Sequence, residues 1–126
     1  MAARTRTQNA LDLSGVGLSC LCLLHCMALP LLAVSVPVLA VFSEAEWVHK
    51  GFVVMAVPVA LLAIFTVQPA RNKPAIIALM FAGVSLLFAG AFVEALHDYE
   101  TTLTVIGALC LGSAHIWRWR THVAAQ

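Results

Sequence analysis

The sequence has few charged residues for its length. It contains 7 Lys or Arg and 6 Asp or Glu among 126 residues, while 62% of its residues are hydrophobic. A soluble domain of this size needs more polar surface, so this composition is typical of a membrane protein. The sequence also has no basic stripe interleaved with aromatic residues, and nucleic acid is therefore not an expected partner.

Several catalytic signatures are missing as well. The chain has no nucleophile elbow, no glycine-rich phosphate loop and no HExxH helix, so we do not expect an enzyme. It has no nucleotide site that could drive transport with ATP. Any transport would therefore run down a gradient or use the membrane potential.

Four apolar segments occupy most of the chain, at 13–42, 47–67, 75–96 and 103–119. About 20 apolar residues cross a bilayer core, and the longer first segment can bend at its prolines. Short joints make sequential helices antiparallel neighbours. The sequence therefore predicts an all-α polytopic membrane protein, an antiparallel bundle of four transmembrane helices over 13–119, with tails at 1–12 and 120–126.

The charged residues in the joints predict the orientation of this bundle. If four helices alternate in direction, all basic residues except Lys50 fall on one side of the membrane. Basic residues favour the cytoplasmic side, so both termini are predicted to be cytoplasmic. The residues on that side are Arg4, Arg6, Arg71, Lys73, Arg118 and Arg120, and the opposite side has Glu44, Glu46, Asp98 and Glu100.

The first segment contains thiols and an imidazole among apolar residues. Helical spacing puts Cys22, His25 and Cys26 on one face, whereas Cys20 projects from nearly the opposite side. Thiol and imidazole together favour thiophilic metals, and ionisable groups inside a membrane are functional candidates. Pro30 has no N–H and leaves the carbonyl of Cys26 without its usual helical partner. A packing role for the cysteines stays open.

Further polar residues are candidates for the same chemistry. Glu94 and His97 share a face near the outer end of the third segment, and His49 opens the second segment on that side, so these residues could form an entry site for a cation. His115 is expected in the cytoplasmic half of the fourth segment, and Cys22 and His25 in the middle or cytoplasmic half of the first. These two segments can be neighbours, so His115 could complete the shell of Cys22 and Cys26. A solvated helix end and a packing histidine are the alternatives.

The first-segment motif resembles that of a known family. The residues from Leu18 to Pro30 match the pattern LS-x-LC-x-x-HC-x-x-x-P of MerC-domain proteins, and weaker matches extend along most of the chain. The resemblance implies a multi-pass protein of the bacterial inner membrane that carries mercuric ion from periplasm to cytoplasm by thiolate exchange. It assigns that exchange to Cys22 and Cys26. The weaker matches are Leu11-Asp12, Gly15, Trp47 with His49, Glu94 and Ala114-His115.

The sequence leaves several alternatives to this interpretation. The cysteine pair has a different spacing from that of the family's founding members, and no cysteine follows Cys110, so zinc or copper could be the cargo instead. No prosthetic group is expected on the leading hypothesis. A haem-binding electron-transfer bundle is the second hypothesis, with His25 and His115 at one level and His49 and His97 at the other. A small structural subunit is the third. The lipid bilayer, a metal donor or acceptor protein and a second copy of the chain are the expected partners.

Overall fold

The computed structural model describes residues 2–43, 45–66 and 73–123, without the side chains of 2–5, 66, 122 and 123. All regular structure in this part of the chain is helical. The long helices are α1 (Ala2–Leu23), α4 (Glu46–Thr66), α5 (Pro74–Phe92) and α6 (Glu100–Val123). The shorter elements are a π turn (Leu24–Ala28), α2 (Leu29–Ser35), α3 (Ala40–Ser43) and 3₁₀ turns at Pro37–Leu39 and Glu94–Tyr99.

The four long helices pack as a ring. Helix α1 lies beside α4, α4 beside α5, α5 beside α6, and α6 beside α1. The predicted contact between the first and fourth segments is therefore confirmed. Glycines bring α5 and α6 close together, since a Cβ on Gly83 would lie 3.0 Å from the carbonyl oxygen of Gly107. Small residues allow such close approach of membrane helices.

Three helices are long and apolar enough to cross a bilayer: Arg6–Ser35, Glu46–Phe65 and Pro74–Phe92. Among the described residues, α6 does not meet that criterion, although it has 24 residues. It starts with Glu100 and carries Arg118 and Arg120 near its end. The fourth membrane span and the cytoplasmic position of both termini therefore stay predictions.

Several helix boundaries differ from the sequence analysis: α6 runs from Glu100 to Val123 instead of 103–119, and the first segment is divided into several helical elements. Helix α1 begins at Ala2, inside the predicted tail 1–12, because Gln8 and Asp12 are buried against the bundle although they are polar. Helix α5 ends at Phe92, four residues before the predicted end of the third segment. Glu94 thus opens a 3₁₀ turn instead of continuing an α-helix. Glu44, Val67, Arg71 and the side chain of Arg4 lie outside the described residues.

The bundle has two ends of opposite charge. We call one the acidic end, where α4 and α6 begin and where Glu46, Glu94, Asp98 and Glu100 lie. We call the other the basic end, which holds Arg6, Lys73, Arg118 and Arg120. Helix α1 runs from the basic end to the acidic end, so its last turns lie near the start of α4.

Candidate metal site

The buried face of α1 is polar. The residues on this face recur every three or four positions. Each of them other than glycine is at most 7% exposed, and Asp12 is fully buried. The opposite face is apolar and exposed, with Leu13, Leu21 and Leu24 each more than half accessible. A helix in lipid directs polar groups to the protein interior, and α1 follows that rule. We call the buried set the polar stripe: Gln8, Asp12, Gly15, Ser19, Cys22 and Cys26.

A π turn shapes the end of this stripe. The N–H of Leu29 donates to the carbonyl of Leu24, five residues earlier, rather than to the residue four earlier. Pro30 follows at once and has no N–H, so it cannot continue the ordinary pattern. The wider turn holds both His25 and Cys26 in the interior, and π turns of this kind are frequent at functional sites.

The thiols lie against residues of α4 and α6. The Cys22 and Cys26 sulfurs are 3.9 Å apart. The Cys26 sulfur is also 3.4 Å from Nε2 of His49 and 3.5 Å from Oγ1 of Thr104. The predicted separation of the cysteines is confirmed, because Cys20 is exposed while Cys22 and Cys26 are buried.

His25 lies beside this group without bonding to it. Its ring contacts the His49 ring edge-on at 5.0 Å between centroids, and the Phe52 ring at 5.9 Å. Its Nε2 atom is buried and has no hydrogen-bond partner among the described residues. A buried ring nitrogen without a partner remains open to a ligand.

Glu100 links the thiol group to an acidic groove. Its Oε1 is 2.7 Å from Nδ1 of His49, and its Oε2 is 3.5 Å from Nδ1 of His97. The groove has a volume of ≈ 510 Å³, and its charged lining residues are Glu46, Glu94, Glu100 and Lys50. Lys50 pairs with Glu46 at 3.0 Å, so the groove keeps an excess of negative charge through Glu94 and Glu100. Glu94 and His97 share a side as predicted, though by 3₁₀ rather than α-helical spacing.

His115 belongs to a second polar group near the basic end. Its Nδ1–H donates to Oδ1 of Asp12 at 3.1 Å, and Nε of Arg118 lies 3.1 Å from the same oxygen. Arg118 also donates through Nη1 to the carbonyl of Ala63 on α4. All three charged or polar side chains are 2% exposed or less. The structure thus separates His115 from the thiols that it was predicted to join.

Each pair of neighbouring ligand atoms in the thiol group has the separation expected for two ligands of one metal ion. Tetrahedral zinc with S at about 2.3 Å and N at about 2.0 Å separates two sulfurs by roughly 3.8 Å, and a sulfur from a nitrogen by roughly 3.5 Å. The observed separations are 3.9 Å and 3.4 Å. Among the described side chains, however, no three His, Cys, Asp or Glu residues are grouped as a metal shell. Cys26 contacts both Cys22 and His49, and we call these three residues the row.

The level of the thiols in the bundle differs from the sequence analysis. The sequence put Cys22 and His25 in the middle or cytoplasmic half of the first span. In the structure, Cys26 contacts His49 in the first turn of α4 and Thr104 in the second turn of α6, so the thiols lie toward the acidic end. The reason is the early start of α1, because Cys22 is 20 residues, or about 30 Å, beyond Ala2.

Three residues of these groups were missed as candidates: Glu100, Asp12 and Arg118. In the sequence, Glu100 was interpreted only as a charged residue in the joint between two segments, and Asp12 only as part of a family motif. The signal for Asp12 was present, because it precedes Cys22 by ten residues at helical spacing and shares its face. Arg118 gave no such signal, since an arginine at a helix end usually faces solvent.

The fold and the site together define a helical membrane protein whose bundle holds thiols and imidazoles on its polar interior face. A family model described as MerC mercury resistance protein matches residues 12–120. The chain therefore belongs to the MerC family, and the resemblance found in the sequence is confirmed. The searches of curated proteins and of solved structures gave no match.

Proposed function

We propose that this protein carries a thiophilic metal cation, with Hg²⁺ as the favoured cargo, across the bacterial inner membrane toward the cytoplasm. The observation that carries the proposal is the row of Cys22, Cys26 and His49, buried at the end of the bundle next to an acidic groove. Membership of a mercury resistance family supports the choice of ion.

The first step is capture at the acidic end. The carboxylates of Glu46, Glu94 and Glu100 line the groove, and like charges in a cleft raise the local concentration of cations. Glu100 then leads inward, because its carboxylate contacts His49 and His49 contacts the Cys26 sulfur. An ion that leaves the groove thus meets an imidazole before it meets the thiols.

The second step is exchange along the row. Thiolate binds soft cations more strongly than imidazole or carboxylate does. Each neighbouring pair has the spacing of two ligands on one ion, while the full set does not surround one point. This arrangement favours passing an ion from His49 and Cys26 to Cys26 and Cys22 over trapping it, and passage requires binding that is weak enough to release.

Glu100 has a positioning role in this proposal. Its Oε1 lies 2.7 Å from Nδ1 of His49 as an ion-pair contact without hydrogen-bond alignment, while Nε2 lies 3.4 Å from the Cys26 sulfur. A carboxylate that pairs with one ring nitrogen leaves the other available to a metal ion. Nothing in the arrangement favours the haem alternative, because the His25 and His49 rings contact each other and His115 is bonded to Asp12.

The test uses the full chain reconstituted in vesicles, with Hg²⁺ uptake as the readout. Changing Cys22 and Cys26 together to Ser should reduce uptake to the level of vesicles without protein. Cys20→Ser is the matched control, because Cys20 lies on the same helix but is exposed on its outer face. Uptake that is unchanged in the double variant would exclude the proposal. Parallel assays with Zn²⁺ and Cu⁺ identify the preferred cargo.

A further inference from the structure

The polar stripe of α1 continues past the thiols toward the basic end. From Cys22 it passes Ser19 and Gly15 to Asp12, a distance of about 15 Å along the helix axis. A cavity of ≈ 20 Å³ lies along this stretch, and its lining includes Gly15, Ser19, Cys22 and His115. That volume is close to what one water-sized occupant needs. Its other lining residues are apolar, so the side chains in it that can bind a cation are those of Ser19, Cys22 and His115.

The imidazole of His115 is held in one orientation. Its Nδ1–H donates to Asp12, so the lone pair of the neutral ring is on Nε2. The Nε2 edge of the ring lies against Gly15, where a Cβ would overlap it. A histidine whose Nδ1–H is bonded to a carboxylate, with Nε2 free, has the usual arrangement of a metal-binding histidine.

The charged partners of His115 are not fully satisfied. Among the described residues, Oδ2 of Asp12 and Nη2 of Arg118 are buried and have no hydrogen-bond partner. Buried polar atoms of this kind call for a ligand or a water molecule. The Arg118 guanidinium already balances the Asp12 carboxylate, so the group has no net negative charge when His115 is neutral.

From these observations we infer that His115 and Asp12 form an inner cation site, separate from the thiols, that receives the ion from Cys22 on its way to the basic end. His115 Nε2 is the ligand, Asp12 orients the ring, and Arg118 keeps the affinity for a second positive charge low. The inference rests on the proposed transport function and adds its exit step. An exit site with one imidazole and a neutralised carboxylate binds a soft cation more weakly than two thiolates do, which favours release.

The binding test detects this site without transport. We expect the Cys22→Ser/Cys26→Ser variant to bind Zn²⁺ with nitrogen and oxygen ligands, measured by X-ray absorption on the purified full chain. Adding His115→Gln to that variant should lower the number of bound Zn²⁺ ions by one, because glutamine can still donate to Asp12 but lacks the ring nitrogen, whereas the acidic groove and His49 are unchanged. An unchanged number of bound Zn²⁺ ions after the His115 change would overturn the inner site.

The transport test follows Hg²⁺ in vesicles for variants with both thiols present. His115→Gln should leave Hg²⁺ bound at the thiols but slow its appearance inside the vesicles by about tenfold or more. Wild-type uptake by His115→Gln contradicts the inference while leaving the thiol proposal intact. Wild-type uptake by the Cys22→Ser/Cys26→Ser variant contradicts the thiol proposal itself.

A double variant without the two buried charges tests whether Asp12 orients His115 or only stabilises the fold. Asp12→Asn together with Arg118→Gln removes both buried charges and leaves none unpaired. If the group only stabilises the bundle, this variant should transport like the wild type. The inference predicts that it folds, as judged by size-exclusion elution and helical content, yet releases Hg²⁺ slowly because His115 has lost its orienting carboxylate.

Discussion

Gly15 allows His115 to lie against α1. A Cβ at this position would overlap the imidazole ring, whereas a Cβ on Gly17 would meet nothing within 4 Å. The two glycines are two residues apart on the same helix and face different surroundings. Substitutions at the two glycines therefore distinguish the effect of a side chain on the packing of His115 from its effect on the helix itself.

We predict opposite effects of alanine at these two glycines. Gly15→Ala should lower the free energy of unfolding by about 1–3 kcal/mol, because the ring must move out of a packed interior. Gly17→Ala should be neutral or stabilise by up to about 1 kcal/mol, since alanine favours helix over glycine. Denaturant unfolding in detergent measures both. Equal stability of the two variants would contradict the close contact with His115.

Glu100 provides a second comparison between neighbouring side chains. Glu100→Gln should weaken metal binding at the thiol group by about 10- to 100-fold, because His49 loses its orienting carboxylate. Glu94→Gln removes one negative charge from the same groove without touching His49. It should slow capture, with a smaller effect on affinity. Titration of the purified protein with Hg²⁺ against a competing thiol compares the two, and identical affinities would rule out the positioning role.

The sequence predicted some residues of the site and not others, for physical reasons. Cys22, His25 and Cys26 share a helix face, so spacing alone brought them together. The contact of Cys26 with His49 depends on where α1 begins relative to α4, which hydropathy does not reveal. Gln8 and Asp12 look like tail residues by hydropathy, yet they are buried. The membership of Cys22 and Cys26 in a metal site stays a prediction.

The π turn couples helix geometry to the site. It follows from Pro30 and turns two consecutive residues, His25 and Cys26, toward the interior. The sequence predicted a disturbance at Pro30 but not its form, since a kink and a π turn both accommodate a proline. The structure contains a π turn, and this turn begins directly after α1, between Cys22 and Cys26.

Replacing Pro30 should straighten this turn. Pro30→Ala restores an N–H and permits ordinary helical bonding, so stability should rise while His25 and Cys26 rotate apart and metal affinity falls. Pro58→Ala is the matched control, because Pro58 is also an exposed proline inside a helix but lies nine residues beyond His49 on α4. It should raise stability without changing affinity. Thermal unfolding and Hg²⁺ titration check both variants, and unaltered affinity in Pro30→Ala would mean that the π turn is not needed.

Apart from the buried Asp12, which pairs with Arg118, the bundle has its described carboxylates at one end and its arginines at the other. Polar residues of α1 join the two ends through the interior, while apolar side chains cover the outside. If the acidic end faces the periplasm, a membrane potential negative inside favours inward movement of a cation by about 2.3 kcal/mol per charge per 100 mV. The sequence predicted this polarity of charge from its joints. Hydropathy predicted four helices and the short joints made sequential helices neighbours, while the contact between the first and fourth was only possible until the structure showed it.

Transport should depend on pH in one direction. Metal binding requires thiolates, so binding releases protons and weakens as the pH falls. We therefore expect Hg²⁺ uptake to decline when the external pH is lowered from about 8 to about 6 at a fixed membrane potential. The Cys22→Ser/Cys26→Ser variant supplies the background at each pH. Uptake that rises on acidification would indicate that the ion does not pass through thiolates.

The most direct measurement is X-ray absorption at the mercury edge on purified protein loaded with one Hg²⁺ per chain. The account predicts two sulfur ligands per mercury in Cys20→Ser/Cys110→Ser, which keeps only Cys22 and Cys26, and at most one in Cys22→Ser/Cys26→Ser, which keeps only Cys20 and Cys110. Fewer than two sulfur ligands in the first variant, or two in the second, would contradict it.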